Sequence, residues 1–92
     1  MVKISLKNIL YIRADRNYCS LHTLEKEYLA VMPLKELNLK LPSDHFLRIH
    51  RSFIINLLHI DEIGTGHVLI ARKSIPLGKS SKEELLKRLQ TI

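Results

Sequence analysis

Ninety-two residues with an apolar content of 46% are enough for one compact domain and too few for two, which excludes multidomain and disordered architectures. The single cysteine, Cys19, excludes an internal disulfide, and the absence of a signal peptide or of an apolar stretch near the ~20 residues of a membrane span predicts a cytoplasmic protein. Fifteen Lys and Arg against nine Asp and Glu give a net charge of +6, and eight of these bases follow residue 46, a balance that suits a polyanionic partner such as nucleic acid or a membrane surface.

The first half of the chain is predicted to form short strands and one helix. Residues 9–14 (ILYIRA) and 18–24 (YCSLHTL) are rich in β-branched and aromatic residues, which predicts a hairpin. The polar DRN between them is interpreted as a three-residue turn in which Asn17 is able to take a positive φ. After a further strand, YLAVM, residues 33–41 begin with proline and carry leucines on one face, which predicts a short amphipathic helix.

The second half is predicted to continue as strands and to end in a helix. HIDEI and HVLIA are joined by GTG, and SIPL follows a turn at RK (residues 72–73), so these segments form a meander. In the closing segment, GKSSKEELLKRLQTI, Ser80 with Glu83 or Ser81 with Glu84 fits a capping box. The apolar side chains there form one stripe: Leu85, Leu86, Leu89 and Ile92. A helix over residues 80–90 is therefore predicted.

Signatures of phosphate and metal sites are incomplete. GKS at residues 78–80 copies the end of a P-loop, but the first glycine of that motif would fall on Lys73. His45 and His50 are five residues apart, which separates them on either a strand or a helix, and the chain has no H-x-x-x-H or C-x-x-C spacing. Neither a nucleotide-binding loop nor a metal site is predicted.

Catalytic signatures are also missing. Cys19 follows Tyr18 in a strand pattern with no nucleophile signature nearby, so it is interpreted as a small core or edge residue. The adjacent carboxylates of Asp61 and Glu62 would point to opposite faces of a strand, which does not suit paired acid–base work. The sequence therefore predicts no enzyme, no cofactor and no small-molecule substrate.

Three polar, basic clusters remain, and each falls at a junction between predicted elements. They are DRNY at residues 15–18, HRS at 50–52 and GKSSK at 78–82. Junctions lie on the surface and carry most binding residues of proteins. These clusters are the candidate functional residues.

The middle cluster interrupts the apolar run FLRIHRSFII. In a regular strand, Leu47 and Ile49 face one way while Arg48 and His50 face the other, so Arg51 would enter the core. The strand must therefore end or bend at this point, and apolar residues anchor the corner from both sides. From these residues alone, an ordinary polar corner and a binding site explain the triplet equally well.

The order of these segments resembles the LytTR family of bacterial DNA-binding domains over about Ile4 to Ile92. The segments that carry the resemblance are ILYIRADRNY, PLKEL, FLRIHRSFIINLLHIDEI and SIPLGKSSKEEL. The most specific part is F-x-R-x-H-R-S-F-x-I-N at residues 46–56, supported by I-P-L-G-K-S ending at Ser80. The resemblance implies a mostly β fold of stacked antiparallel sheets with a short central helix and a C-terminal helix. It also implies that loops, and not a recognition helix, enter the DNA grooves.

Carried over by position, the DNA-contacting loops of the family fall on the three clusters. The residues expected to bind DNA are Arg16, Asn17, Tyr18, Arg48, His50, Arg51, Ser52, Lys79, Ser80 and Lys82. Arg51 suits base edges or a narrow minor groove, His50 suits a phosphate or a base, and Lys82 suits a phosphate. Arg51 and Lys82 are both expected to be exposed.

Two positions depart from the family pattern. Arg13 stands where members commonly carry an acidic residue, and Lys79 stands near the place of an arginine. The second departure matters for recognition, because lysine lacks the planar fork with which arginine grips guanine.

By this resemblance, residues 1–92 are expected to be one DNA-binding domain of a sequence-specific transcription regulator in a two-component system. Such regulators carry a receiver domain that a sensor kinase phosphorylates, and this receiver domain is absent from this chain. Two protomers are expected to bind side by side at repeated sites on duplex DNA, without a metal, a cofactor or a membrane. The alternative is a protein-interaction or membrane-surface module that uses the same basic face.

Overall fold

The computed structural model describes residues 3–90. This part of the chain folds into eight strands and two α-helices: β1 Ile9–Asp15, β2 Tyr18–Thr23, β3 Glu27–Ala30, α1 Leu34–Lys40, β4 Phe46–His50, β5 Phe53–Asn56, β6 Glu62–Ile63, β7 His67–Ile70, β8 Lys73–Pro76 and α2 Lys79–Gln90. Two 3₁₀ turns, Leu6–Asn8 and Leu57–His59, precede β1 and follow β5. The predicted fold class, mostly β with a short central helix and a C-terminal helix, is confirmed.

The strands form two antiparallel sheets. The larger sheet has the order β3-β2-β1-β5-β4, and the smaller has the order β6-β7-β8. Each face of the larger sheet is covered by an apolar cluster. In β5, the neighbours Ile54 and Ile55 are both fully buried and belong to different clusters, because successive side chains of a strand point to opposite faces.

The two faces of the larger sheet are covered by different elements. On one face, α1 packs through Leu34 and Leu37, the leucine face predicted from the sequence. On the other face, the smaller sheet and α2 supply Val68, Ile75 and Leu85. The larger sheet is therefore held between two layers, and its strand ends are rigid supports for the turns that join them.

Two predicted turns differ in detail from the structure. The loop between β1 and β2 has two residues, because Asp15 pairs with Tyr18. The positive φ of 58° belongs to Arg16 and not to Asn17. The favoured two-residue hairpin turns need a positive φ at their first position, so the pairing decides which residue adopts it. In the meander, the β7–β8 turn lies at residues 71–72, one residue earlier than predicted.

The final helix begins earlier than its predicted capping box. Because α2 starts at Lys79, Ser80 and Ser81 lie in its first turn and do not cap it. Of the predicted apolar stripe, Leu85 is buried and Leu89 is partly buried, whereas Leu86 is 41% exposed. The fourth member of the stripe, at position 92, lies outside the described residues.

Cys19, interpreted from the sequence as a small core or edge residue, lies in the core. It is fully buried, and its thiol donates to the carbonyl oxygen of Met32 at 3.2 Å. Burial raises the pKa of the Cys19 thiol, with Arg48 opposing that effect. The reactive thiolate is therefore scarce at neutral pH.

We expect Cys19 to react slowly with a disulfide reagent in the folded protein and completely after unfolding in guanidinium. Cys19→Ser should leave the DNA binding expected from the sequence resemblance unchanged, because the buried thiol contacts only the protein. Titration of the thiol, a melting curve and a mobility-shift assay of the variant test this. Lost DNA binding at an unchanged melting temperature would contradict a structural role and indicate redox sensing.

Candidate nucleic-acid interface

The three polar clusters lie together at one end of the larger sheet. Strands β1 and β5 are antiparallel neighbours, so the turn after β1 and the turn before β5 share that end. There the backbone N–H of Ala14 donates to the carbonyl of Ser52 at 2.8 Å. The N–H of Gly78 donates to the carbonyl of Ile49 at 2.8 Å, which brings the start of α2 against the end of β4. We call this surface the loop end, and it comprises residues 15–18, 50–52 and 78–82.

A β-bulge shapes the corner between β4 and β5. Arg48 pairs with Ile54 and His50 pairs with Phe53, so Ile49 is the extra residue on β4. The alternation of a regular strand, in which Arg48 and His50 would share a face, is therefore interrupted at this bulge. The predicted bend of the chain at this corner is present, as a turn at residues 51–52.

Two hydrogen bonds fix the corner. Nη2 of Arg48 donates to the carbonyl of Arg51 at 2.7 Å, and the backbone N–H of Ser52 donates to Nδ1 of His50 at 3.1 Å. Because Nδ1 accepts, the proton of the neutral imidazole is assigned to Nε2, which is then a donor. The side chain of Arg51 is exposed at the tip of the turn, as expected. The corner therefore presents a guanidinium and an imidazole N–H on a fixed backbone.

A groove of about 420 Å³ separates this corner from the start of α2. Its lining residues carry arginine, histidine and serine side chains and no carboxylate: Arg48, Ile49, His50, Arg51, Gly78, Ser80 and Ser81. A Cβ atom at position 78 would lie 3.3 Å from the carbonyl oxygen of Ile49, so a glycine allows this close approach of α2 to β4. The groove is therefore suited to negatively charged atoms.

The hairpin loop supplies Arg16 and Asn17, both with exposed side chains. The hydroxyl of Tyr18 donates to Oδ2 of Asp15 at 2.9 Å, and this hydrogen bond raises the pKa of Tyr18. Tyr18 therefore offers its ring and an acceptor oxygen to a ligand, whereas its hydroxyl proton is used within the hairpin. A phosphate, which only accepts hydrogen bonds, would be met by the neighbouring guanidinium and amide.

The start of α2 brings Lys79 and Ser80, which are exposed, to the same end of the sheet. Lys82 was expected to be exposed, but it is half-buried. A lysine in this position packs its methylene stem on the protein and keeps its ammonium group in water. The first-turn N–H groups of the helix add to the positive potential at this edge.

Each residue expected to bind DNA therefore lies at the loop end or supports it. Sequence reasoning missed the internal roles of Asp15 and Arg48, because hydrogen bonds to Tyr18 and to the Arg51 carbonyl leave no signal in a residue pattern.

Within residues 3–90, His, Cys, Asp and Glu side chains form no group of three that could hold a metal ion. No helix of that part of the chain is long and apolar enough to cross a membrane.

Comparison with known proteins finds similar sequences over nearly the whole chain. The family model of the LytTr DNA-binding domain matches residues 1–90. The sensory transduction protein LytT of Bacillus cereus is 30% identical over 96 residues, which cover 98% of this chain and 39% of LytT. The CO-responsive transcriptional regulator RcoM of Rhodospirillum rubrum is 35% identical over 89 residues, which cover 89% of this chain and 38% of RcoM.

A solved structure shares the whole architecture. It is the LytTr DNA-binding domain of a methyl-accepting/DNA response regulator from Bacillus cereus, with a TM-score of 0.80 and 26% identity over 96% of this chain and 86% of that chain. The resemblance found in the sequence is therefore confirmed. The family match over nearly the whole chain and the common fold together show that this chain belongs to the LytTr DNA-binding domain family.

Proposed function

We propose that this chain binds duplex DNA in a sequence-specific manner through the loop end, as the output domain of a bacterial transcription regulator. The observation that carries the proposal is a groove between the β4–β5 corner and the start of α2 that no carboxylate lines, with the basic hairpin loop 15–18 at the same end of the sheet. These loops are anchored by buried strand residues and by backbone hydrogen bonds, so their side chains are displayed in a fixed arrangement. Similar relatives are named as transcriptional regulators and sensory transduction proteins.

The corner between β4 and β5 is proposed to read bases. The planar fork of Arg51 matches the O6 and N7 acceptors of guanine, and Nε2–H of His50 can donate to a base or a phosphate. Arg48 supports this corner through its side-chain hydrogen bond to the Arg51 carbonyl, and Ser52 supports it through its backbone N–H, which donates to Nδ1 of His50.

The other two loops are proposed to set the position of the domain on the duplex. Arg16 and Asn17 enter a groove from the hairpin, with the ring of Tyr18 packed against the sugar-phosphate backbone. At the start of α2, Lys79, Ser80 and Lys82 contact phosphates, which fix register and orientation without carrying sequence information.

We also propose how the domain is used. The chain spans 38% of RcoM and 39% of LytT, so relatives carry long additional segments. Residues 1–92 would act as one domain of a longer cytoplasmic regulator, joined to a receiver domain that a sensor kinase phosphorylates. Two protomers would lie side by side on repeated sites, and no step would involve catalysis.

The proposal is tested by selecting a preferred duplex from a random pool. The selected duplex and a scrambled duplex are then titrated in a mobility-shift assay over a range of salt concentrations. We expect a preference of at least about 10³-fold and an affinity that falls steeply with salt. Cosedimentation with anionic vesicles and with neutral vesicles provides the contrasting measurement. Indifference to duplex DNA would overturn the proposal, and vesicle binding by the same protein would favour a membrane-surface module.

A further inference from the structure

A second basic cleft lies between the two sheets, outside the loop end. It has a volume of about 150 Å³ and is lined by Tyr11, Arg13, Phe53, Lys73, Ser74 and Ile75. The larger sheet contributes the guanidinium, and the smaller sheet contributes the ammonium and the hydroxyl. No carboxylate lines the cleft, and its three polar residues on the strands β1 and β8 are exposed.

The two positively charged residues of the cleft, Arg13 and Lys73, both belong to β-strands. Arg13 is paired within the larger sheet, opposite Phe53. Lys73 is the first residue of β8 and follows a two-residue turn in which Ala71 and Arg72 have φ values of 50° and 69°. A positive φ at both positions is what a type I′ hairpin turn requires, and such turns are tight. The two charges are therefore held by strands and not by long loops.

The charges of Arg13 and Lys73 act on the same neighbouring side chain. Burial lowers the pKa of His22; Glu27 opposes this effect, and Arg13 and Lys73 add to it. The carboxylate of Glu27 already accepts a hydrogen bond from Oγ of Ser20. Neither cation forms an ion pair with any residue in the range 3–90. The cleft therefore holds two positive charges that an anion would balance.

The size and place of the cleft select the kind of anion. Small-molecule sites usually exceed ~300 Å³, so a cleft of about 150 Å³ suits a single phosphate group better than a whole metabolite. Arg13 lies three residues before Arg16 on the strand that leads to the loop end, which is a distance of roughly 10 Å along β1. DNA bound at the loop end would carry several phosphates within such a distance, because each strand has one every ~3.4 Å of helix axis.

From these observations we infer that the cleft formed by Arg13, Lys73 and Ser74 binds a DNA phosphate next to the segment that the loop end covers. This inference rests on the proposed function and extends it by one contact site. The side chains of Arg13 and Lys73 would contact the DNA backbone and no base, so they would extend the contacted segment of DNA without changing the sequence preference.

The test uses Arg13→Gln, Lys73→Gln and the double variant, each titrated with the selected duplex at several salt concentrations. In the double variant, we expect the salt dependence to become less steep, with the slope of log K against log salt smaller in magnitude by about one unit. The ratio of the affinities for the selected and the scrambled duplex should stay constant. On a selected duplex shortened at the end that meets this cleft, variant and wild type should bind equally.

Two further variants separate charge from structure. Lys35→Gln removes one exposed positive charge from α1, which covers the opposite face of the sheet, and should leave the salt slope unchanged. Lys73→Arg keeps the charge and should keep the wild-type slope. An unchanged slope in the double variant, with wild-type binding intact, would overturn this inference alone. A wild-type chain that is indifferent to duplex DNA would instead overturn the proposed function, and this inference with it.

Discussion

Replacing Arg51 with alanine is expected to weaken binding to the preferred duplex by about 1 to 3 kcal/mol and to weaken binding to unrelated DNA much less. The lost group is a planar, multi-donor guanidinium at the tip of the corner, where its side chain is exposed. The Arg51 carbonyl, which accepts from Arg48, remains in the alanine variant. The change therefore removes a base contact and leaves the turn intact. The measurement is the ratio of affinities for the selected and a scrambled duplex.

Lys82→Ala is the matched control for this prediction. It removes a positive charge from the same surface, and we expect it to weaken both duplexes alike and to reduce the salt slope by about one unit. Because Lys82 is half-buried, a melting curve should accompany the titration. An affinity ratio that stays constant in Arg51→Ala would remove Arg51 from the sequence-reading residues. A large fall in its melting temperature would mean that Arg51 holds the corner together.

Local patterns in the sequence were sufficient to predict the strands, both helices and the positions of the three clusters. Alternation and turn residues are local properties, so they place a junction at residues 51–52 before any partner strand is known. They do not predict the bulge at Ile49, because the local sequence is the same whether Ile49 is paired with a residue of β5 or is the extra residue of the bulge. Whether Arg48 and His50 share a face is decided by the register with β5, which is a tertiary property.

Tertiary contacts also decided the details at the other two loops. Asparagine tolerates a positive φ better than arginine does, but the pairing of Asp15 with Tyr18 makes Arg16 the first turn residue. The serines at the start of α2 suit an N-cap, but the backbone hydrogen bond from Gly78 to Ile49 fixes the chain before them, and α2 already begins at Lys79.

The convergence of distant basic residues could not be read from residue patterns alone. Residues 15–18 and 78–82 lie at the same end of the larger sheet because β1 pairs with β5, and β5 pairs with β4, against whose end α2 begins. In the same way, Arg13 and Lys73 are remote in sequence and were assigned to separate elements, a strand and a turn. Only the packing of the smaller sheet on the larger one places both in one cleft.

Arg48→Ala is expected to weaken binding to the selected duplex roughly tenfold, which corresponds to about 1.4 kcal/mol. Arg48 was expected to contact DNA, and we propose that it mainly positions the corner, since its Nη2 donates to the Arg51 carbonyl at 2.7 Å. Hydrogen bonds from charged groups contribute about 1.5 to 3 kcal/mol, and this one lies at the surface, so the lower end applies.

A double-mutant cycle with Arg51 distinguishes positioning from direct contact with DNA. If Arg48 acts through the turn that carries Arg51, Arg48→Ala should cost little in the Arg51→Ala background, and it should leave the salt slope unchanged in either background. If Arg48 instead neutralises a phosphate, the two costs should add and the slope should fall by about one unit. Additive costs with a reduced slope would therefore reject the positioning role and assign Arg48 to the DNA backbone. Coupled costs with a constant slope would make the Arg48–Arg51 hydrogen bond a determinant of sequence recognition, because it would fix the direction from which the guanidinium enters the groove.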